Sequence, residues 1–265
     1  MTQTWFITGA NRGLGLEIAR TILAAGHNVV ATARKPGSIA AVLGAPANLL
    51  AVKLDVTKPE DAQAAVAAAK DRFGGIDVLV NNAGYGQLGW FENTSDVQIR
   101  AQFETNVFGA MDVTRAVLPL MREKRSGHVF TVSSVAGIYA VAGSSTYSAS
   151  KFAVEGWMEG LTEELRPLGI KATIIEPGFF KTDFLDASSV TYGDYDIADY
   201  AEATKAFEEW HDNMNHKQVG DPTKLGNVLI ELNKIDNPPV RLPPGPTLRE
   251  SYSKRRNPYA RTLNA

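Results

Sequence analysis

Short apolar runs alternate along this chain with longer segments in which apolar residues recur every three or four positions. The short runs predict strands covered on both faces, because such strands have no polar side. We predict strands at residues 4–8, 28–33, 49–55, 77–82, 128–134, 171–177 and 240–242. The longer segments predict helices at 13–25, 36–44, 59–73, 95–123, 146–167, 199–215 and 222–235. This alternation indicates an α/β protein with a doubly wound parallel sheet and helices on both of its faces.

The predicted helix at 59–73 has the best-marked ends. Thr57 is expected to cap its N-terminus through the side-chain hydroxyl. Pro59 suits the first turn, where no backbone N–H is needed. Gly74 and Gly75 end the helix, because glycine is the usual helix terminator.

No internal repeat or low-complexity linker divides the 265 residues, so we expect a single domain over residues 1–265. The strand–helix alternation weakens after Gly178. Residues 183–220 are rich in aromatic and acidic side chains, and residues 243–265 are Pro-rich and basic. We predict that the latter form an irregular tail.

Composition argues against several classes of function. The net charge of −2 gives no reason to expect nucleic-acid binding. No apolar run approaches the ~20 residues that span a bilayer, so no membrane partner is expected. The N-terminus lacks the pattern of a signal peptide. The absence of cysteine excludes disulfides and fits a reducing compartment, so a cytoplasmic location is expected.

The four histidines fall in no metal-ligand spacing, so no metal is predicted. They are His27, His128, His211 and His216. We expect them to be exposed or capping residues.

The first predicted strand ends in a glycine-rich turn, TGANRGLG, which spans Thr8 to Gly15. Glycine lets the backbone turn sharply and approach a phosphate without a Cβ in the way. The helix that follows offers free N–H groups and the positive end of its dipole. Because this turn opens a strand–turn–helix unit, we interpret it as a cradle for the pyrophosphate of a dinucleotide.

A second constellation lies in the stretch TYSASKFAVEG. Tyr147 and Lys151 are one helical turn apart and therefore share a helix face. A nearby ammonium lowers the pKa of a tyrosine, which helps acid–base work near neutral pH. Ser134, thirteen residues upstream of Tyr147, ends a predicted strand, so all three are expected at the carboxyl edge of the sheet.

The chain resembles the short-chain dehydrogenase/reductase family over about residues 3–182. The motifs that carry the resemblance are Thr8–Gly15, Asp55, Asn81–Gly84, Asn106, Ser134, Tyr147, Lys151 and PGFFKT at 177–182. NNAGYG and the ATAR strand end also resemble the family's 17β-hydroxysteroid-dehydrogenase-like branch. The resemblance implies a Rossmann-like dinucleotide-binding catalytic domain with a seven-stranded sheet.

The family implies a role for each member of the catalytic group. Tyr147 is expected to donate a proton to a carbonyl oxygen, or to take one from an alcohol. Ser134 is expected to hydrogen-bond that oxygen. Lys151 is expected to lower the pKa of Tyr147 and to hold the nicotinamide ribose, and Asn106 to anchor a water that links Lys151 to solvent.

NADP(H) is the expected cofactor, and NAD(H) is the less favoured one. An NAD enzyme usually has an acid at the end of strand two, where this chain has Ala33 followed by Arg34. Arg12 is a second base, and two guanidinium groups suit a 2′-phosphate. The full set expected to bind cofactor is Gly9, Asn11, Arg12, Gly13, Leu14, Gly15, Arg34, Asp55, Val56, Asn82, Ala83, Gly84, Tyr147, Lys151, Pro177, Gly178, Phe180 and Thr182.

The expected substrate is a small molecule, a bulky hydrophobic ketone, aldehyde or alcohol. Aromatic side chains of the kind that line apolar pockets are concentrated in 183–220, which we predict to be a substrate-binding loop and helix. Residues expected to touch the substrate are Ser134, Tyr85, Tyr139, Val141 and Phe184. Two alternatives stay open at this point: an epimerase or lyase on the same fold, and a dinucleotide-sensing regulatory protein. Family members often form homodimers or homotetramers, which we expect here also.

Overall fold

A computed structural model of the protein describes residues 1–186 and 189–243. The predicted irregular tail, apart from Pro243, lies outside the described residues. None of the helices in the described ranges combines the length and the apolar character that a membrane crossing requires.

Seven strands form one sheet in the order β3-β2-β1-β4-β6-β7-β9, with every neighbouring pair parallel. They are β1 (Thr4–Ile7), β2 (Asn28–Ala33), β3 (Leu49–Lys53), β4 (Val78–Asn81), β6 (Gly127–Val132), β7 (Ile170–Ile175) and β9 (Arg241–Leu242). Two short strands, β5 (Gly86–Gln87) and β8 (Val190–Thr191), pair separately. The predicted fold class is confirmed, and the small β5–β8 pair was not predicted.

The helices are α1 (Gly13–Ala24), α2 (Gly37–Leu43), α3 (Pro59–Phe73), α4 (Asp96–Phe103), α5 (Gly109–Lys124), α6 (Ser145–Leu165), α7 (Ala201–Met214) and α8 (Thr223–Lys234). The long helix predicted at 95–123 is interrupted. A π-helical segment, Glu104–Phe108, joins α4 to α5 and carries Asn106. Extra residues of this kind re-aim the side chains on either side, and the apolar period alone does not reveal them.

The predicted cap at Thr57 is wrong. The N-cap of α3 is Lys58, and it makes no side-chain cap hydrogen bond. The Thr57 hydroxyl instead donates to Asp55 Oδ1 at 2.8 Å, because the chain turns at the end of β3 before the helix begins. Pro59 and Gly74 do mark the two ends of α3, and Gly74 is left-handed at φ 81°.

The sheet separates two hydrophobic clusters because successive side chains of each strand point to opposite faces. In β1, Phe6 joins the cluster that packs under α3, α5 and α6. Its neighbours Trp5 and Ile7 join the cluster under α1, α2 and α8. This arrangement explains why most positions of the central strands are apolar on both faces of the sheet.

His128 is a core residue of β6, which corrects the prediction that it is exposed or capping. Its ring is fully buried, stacks on Phe130 at 3.8 Å between centroids, and contacts Thr173 Oγ1 through Nε2 at 3.0 Å. Burial, with a smaller contribution from the nearby Lys171 charge, lowers the pKa of His128 from 6.5 to about 3. The folded protein therefore holds this imidazole neutral.

His128 should make the protein less stable in mild acid. The unfolded chain takes up a proton below pH 6.5, and the folded chain does so only near pH 3, so stability falls as pH drops through that window. At pH 5 we expect a loss of about 2 kcal/mol relative to pH 7 from this group. Urea unfolding of wild type and His128→Leu at both pH values measures it. An equal acid sensitivity in the two proteins would contradict the assignment.

Candidate active site

Side-chain hydrogen bonds, in addition to the backbone pairing of the sheet, connect the carboxyl ends of β1 and β4. Thr8 Oγ1 accepts hydrogen bonds from the backbone N–H groups of Asn82 and Ala83, each at 2.9 Å. The Asn82 amide donates to the Thr8 and Gly9 carbonyls at 2.9 and 3.1 Å. The predicted motifs TGANRGLG and NNAG therefore form one rigid unit at this edge.

The glycine turn fits a phosphate cradle made of backbone alone. Gly9 and Gly13 are left-handed, at φ 64° and 54°. A Cβ on Gly15 would lie 2.4 Å from both Asn82 Nδ2 and the Gly9 carbonyl, so no larger residue fits there. Arg12 is the N-cap of α1 and makes no side-chain capping bond to the helix, and the first turn of α1 has no acidic residue. The turn thus places the positive end of a helix beside its glycines.

Tyr147 and Lys151 occupy the first two turns of α6, and Ser134 directly follows the end of β6. Lys151 Nζ lies 5.7 Å from the centroid of the Tyr147 ring and donates to the Val132 carbonyl at 2.9 Å. Ser134 Oγ accepts from the Ala136 N–H at 3.1 Å, which leaves its own proton available. The structure brings these three predicted residues together.

Burial controls the protonation of both titratable groups. It raises the pKa of Tyr147 to about 12, and the Ser134 hydroxyl lowers it by a smaller amount. Burial also lowers the pKa of Lys151 to about 8. Desolvation of the phenolate therefore sets the direction of the Tyr147 pKa, and the expected lowering by Lys151 stays a prediction. Tyr147 is a neutral phenol at neutral pH.

Ser133, the neighbour of Ser134, points the other way. It is buried, its Oγ makes no hydrogen bond among the described residues, and it faces Gly137 and Glu155. Ser134 is the half-buried member of the pair. Alternation along an extended chain separates the two hydroxyls.

Asn106 clamps the backbone of Tyr85. Its Oδ1 accepts from the Tyr85 N–H at 3.1 Å, and its Nδ2 donates to the Tyr85 carbonyl at 2.9 Å. Gln102 adds a second bond to that carbonyl at 3.1 Å. The side chain of Asn106 therefore holds the chain after NNAG, and its predicted water-anchoring role stays a prediction.

An apolar cluster covers Tyr147. Phe184 lies 5.8 Å from it between ring centroids. The other members are Leu88, Ala136, Leu185, Val190, Tyr192 and Phe207. Of the residues predicted to bind substrate, Phe184 belongs to this cluster; Val141 is 51% exposed, and Tyr85 and Tyr139 are half-buried outside it.

The remaining predicted cofactor residues line the same edge. Arg34 is exposed at the end of β2, Arg12 is half-buried, and Val56 is buried beside Asp55 after β3. The Pro177 carbonyl accepts from the Val135 N–H at 3.0 Å, which ties PGFFKT to the loop after Ser134. Further along this segment, Phe180 bridges to Gly220 and Thr182 Oγ1 accepts from the Phe184 N–H.

The family model described as short chain dehydrogenase matches residues 3–193. The chain belongs to the short-chain dehydrogenase family. It is therefore an oxidoreductase, and the predicted family is confirmed, whereas the 17β-hydroxysteroid-dehydrogenase-like branch stays a prediction.

Two curated members of the family cover nearly the whole chain. Oxidoreductase BOA17 of Botryotinia fuckeliana is 37% identical over 96% of this chain and 93% of its own length. The 3-ketodihydrosphingosine reductase of Bacteroides thetaiotaomicron is 35% identical over 95% of this chain and 91% of its own length.

Solved structures of the short-chain dehydrogenase family superpose closely. A short-chain dehydrogenase from Streptomyces avermitilis matches with a TM-score of 0.88 at 36% identity, over 100% of this chain and 96% of that one. A serine dehydrogenase complexed with NADP+ matches with a TM-score of 0.76 at 26% identity, over 92% and 95% of the two chains.

Sequence reasoning missed a group of charged residues behind the dehydrogenase site. Arg241 of β9 contacts Glu155 and Glu159 of α6 and Glu176 at the end of β7. A signal was present in α6, where Tyr147, Lys151, Glu155 and Glu159 follow one another at every fourth position. The partner Arg241 had no such signal.

The prediction about histidines is also wrong at His211, which is buried among aromatic rings of α7. Its ring meets the Phe207 ring edge-on, with 4.3 Å between the centroids. His216 contacts Asp186 at 3.3 Å, and with Asp183 these residues could each offer a ligand atom within 4.8 Å of the others. The absence of a metal stays a prediction.

Gly15→Ala should damage the glycine turn. The new methyl would meet the Gly9 backbone and Asn82, neither of which can move without breaking the β1–β4 unit, so we expect a loss of about 1–3 kcal/mol of stability. Gly156→Ala in α6 is the matched control. No atom lies within 4 Å of its added Cβ, so it should be neutral or stabilising by about 1 kcal/mol. Urea unfolding compares the two, and equal effects would contradict the predicted close approach.

Proposed function

We propose that this dehydrogenase uses NADP(H) to interconvert a ketone or aldehyde and an alcohol. The observation that carries the proposal is the grouping of Tyr147, Ser134 and Lys151 at the carboxyl edge of the sheet, next to a glycine turn suited to a pyrophosphate. The nicotinamide cofactor, when bound, supplies or accepts the hydride.

Three side chains have separate roles in the proposed reaction. Tyr147 donates its phenolic proton to the carbonyl oxygen during reduction and takes it back during oxidation. Ser134 donates a hydrogen bond to the same oxygen as its negative charge develops. The Lys151 ammonium binds ribose hydroxyls and stabilises the phenolate that Tyr147 becomes. Because burial holds Tyr147 protonated at neutral pH, its phenol is in the form that a proton donor needs.

A bulky hydrophobic substrate fits the surroundings of Tyr147. Its ring is covered by Phe184 and the other apolar members of its cluster, and the pairing of β5 with β8 holds the loop that carries them over the site. The name of the Bacteroides relative makes 3-ketodihydrosphingosine a natural probe beside aryl and steroid ketones.

We favour NADP(H) over NAD(H) because the end of β2 carries a positive charge and no negative one. Ala33 leaves no acid to bind a ribose 2′-hydroxyl, and Arg34 is exposed next to it. Arg12 lies on the neighbouring glycine turn. The related serine dehydrogenase is complexed with NADP+, which accords with this choice.

We also propose a homodimer or homotetramer. Phe108 and Phe152, on the π segment and on α6, are 47% and 39% exposed, as expected if these helices pack against a second copy. The alternatives, a dinucleotide sensor and an epimerase or lyase, are less favoured because Tyr147 and Lys151 are both present.

Tyr147→Phe should lower kcat by roughly 100- to 10,000-fold, because it removes the proton donor. The Kd for NADPH should change little. Tyr195→Phe, at a 55% exposed tyrosine, is the control and should keep wild-type turnover. The assay follows NADPH absorbance with the ketone panel. Normal turnover in Tyr147→Phe would refute the acid–base role, and NADPH binding without turnover in wild type would favour the sensor.

Arg34→Asp should shift preference toward NADH. Loss of a charged hydrogen bond to the 2′-phosphate should raise the Kd for NADPH roughly tenfold or more, with little effect on NADH. Lys70→Asp makes the same charge change on α3, away from the carboxyl edge, and is the control. Fluorescence titration of both cofactors measures the ratio of affinities, and an unchanged ratio in Arg34→Asp would count against the phosphate site.

A further inference from the structure

The catalytic helix carries a row of four polar side chains at a spacing of four residues. Tyr147, Lys151, Glu155 and Glu159 follow one another along α6. The first three are buried, and the Glu159 side chain is 55% exposed. Residues four apart on a helix are neighbours in space, so Lys151 lies between the phenol and the Glu155 carboxylate.

Arg241, which is distant from Glu155 in sequence, forms an ion pair with it. Its Nε lies 3.0 Å from Glu155 Oε2 and 3.2 Å from Glu176 Oε1, and its Nη1 lies 2.8 Å from Glu159 Oε1. Arg241 belongs to β9, which pairs with β7, and Glu176 directly follows β7. The C-terminal edge strand is thereby tied to the helix that carries Tyr147 and Lys151, which fixes where the Glu155 charge sits.

Among the described residues, the charge that acts on Lys151 is that of Glu155, one helical turn further along α6. β6 faces Lys151 with the Val132 carbonyl, and the turn after Ser134 contributes no charge. The charged residues of α4 and the π segment, which also pack against α6, are exposed: Asp96, Arg100 and Glu104. On β7, Lys171 is bound to the Asn233 and Ile235 carbonyls at the opposite end of the strand.

We propose that Glu155, fixed by Arg241, is a positioning residue that keeps Lys151 in its ammonium form. The inference deepens the proposed function, because ribose binding and phenolate stabilisation both need a charged Lys151. Burial lowers the pKa of Lys151 and the Glu155 charge raises it, and together they leave it at about 8, close to working pH. Without that carboxylate, the buried amine would lose its proton at a lower pH.

The test measures the pKa of Lys151 directly, on the full chain. The protein is labelled with 13Cε-lysine, and the Lys151 signal is assigned by its loss in Lys151→Arg. In Glu155→Gln, which keeps the size and a hydrogen-bond acceptor for Arg241, the pKa of Lys151 should fall by on the order of one pH unit. The Kd for NADPH at pH 8.5 should rise in the same variant. An unchanged Lys151 pKa would overturn the proposal.

Glu176→Gln is the matched control. Glu176 is as deeply buried as Glu155 and touches the same Arg241 Nε, so a merely structural effect of loosening β9 would appear in both variants. We expect the pKa of Lys151 to move in Glu155→Gln and to stay in Glu176→Gln; equal shifts would count against a specific role. If Glu155→Gln does not fold, Glu155→Met, which has similar length and no charge, should give the same fall.

The Lys151 pKa and ketone turnover are measured independently, so the role of Glu155 and the proposed reaction can fail separately. A lowered Lys151 pKa in a protein that reduces no carbonyl would support the role of Glu155 and reject the reaction. Turnover of ketones with an unchanged Lys151 pKa in Glu155→Gln would support the reaction and reject the role of Glu155.

Discussion

Each strand of the main sheet pairs in parallel with its neighbours, and this pairing determines where the candidate site lies. Because every strand of the main sheet runs the same way, the ends of β1, β4, β6 and β7 all open at one edge. Thr8, Asn82, Ser134 and Glu176 are therefore neighbours although they are far apart in sequence. The backbone N–H groups of Asn82 and Ala83, after β4, donate to the Thr8 hydroxyl oxygen and hold this edge together.

Burial shifts the pKa values of the two titratable residues of the site in opposite directions, upward for Tyr147 and downward for Lys151. A buried phenol keeps its proton, as the donor role proposed for Tyr147 requires. A buried ammonium tends to lose its proton, which works against the ribose-binding role proposed for Lys151. Lys151 is stabilised by one carbonyl hydrogen bond and by the carboxylate of Glu155. The charges on β9 and at the end of β7 thus belong to the same electrostatic unit as the catalytic helix.

Much of the fold could be predicted because its signals are local. Apolar strands, the Pro59 and Gly74 ends of α3, and the glycines of the turn all report on neighbouring residues. The π segment around Asn106 was missed because one extra residue leaves the apolar period nearly unchanged. Thr57 was misjudged as a cap because the hydroxyl had a nearer partner in Asp55, which is visible only once the turn is formed.

The sequence by itself determined the order of strands and helices, the family motifs and the grouping of Tyr147, Lys151 and Ser134, because spacing along a helix and strand ends translate directly into space. Tertiary structure alone decided which polar groups are desolvated and which charge meets which. It buried His128 in the core and raised the pKa of Tyr147. It also brought Arg241 to Glu155, 86 positions earlier, because long-range pairing depends on sheet closure that no local pattern encodes.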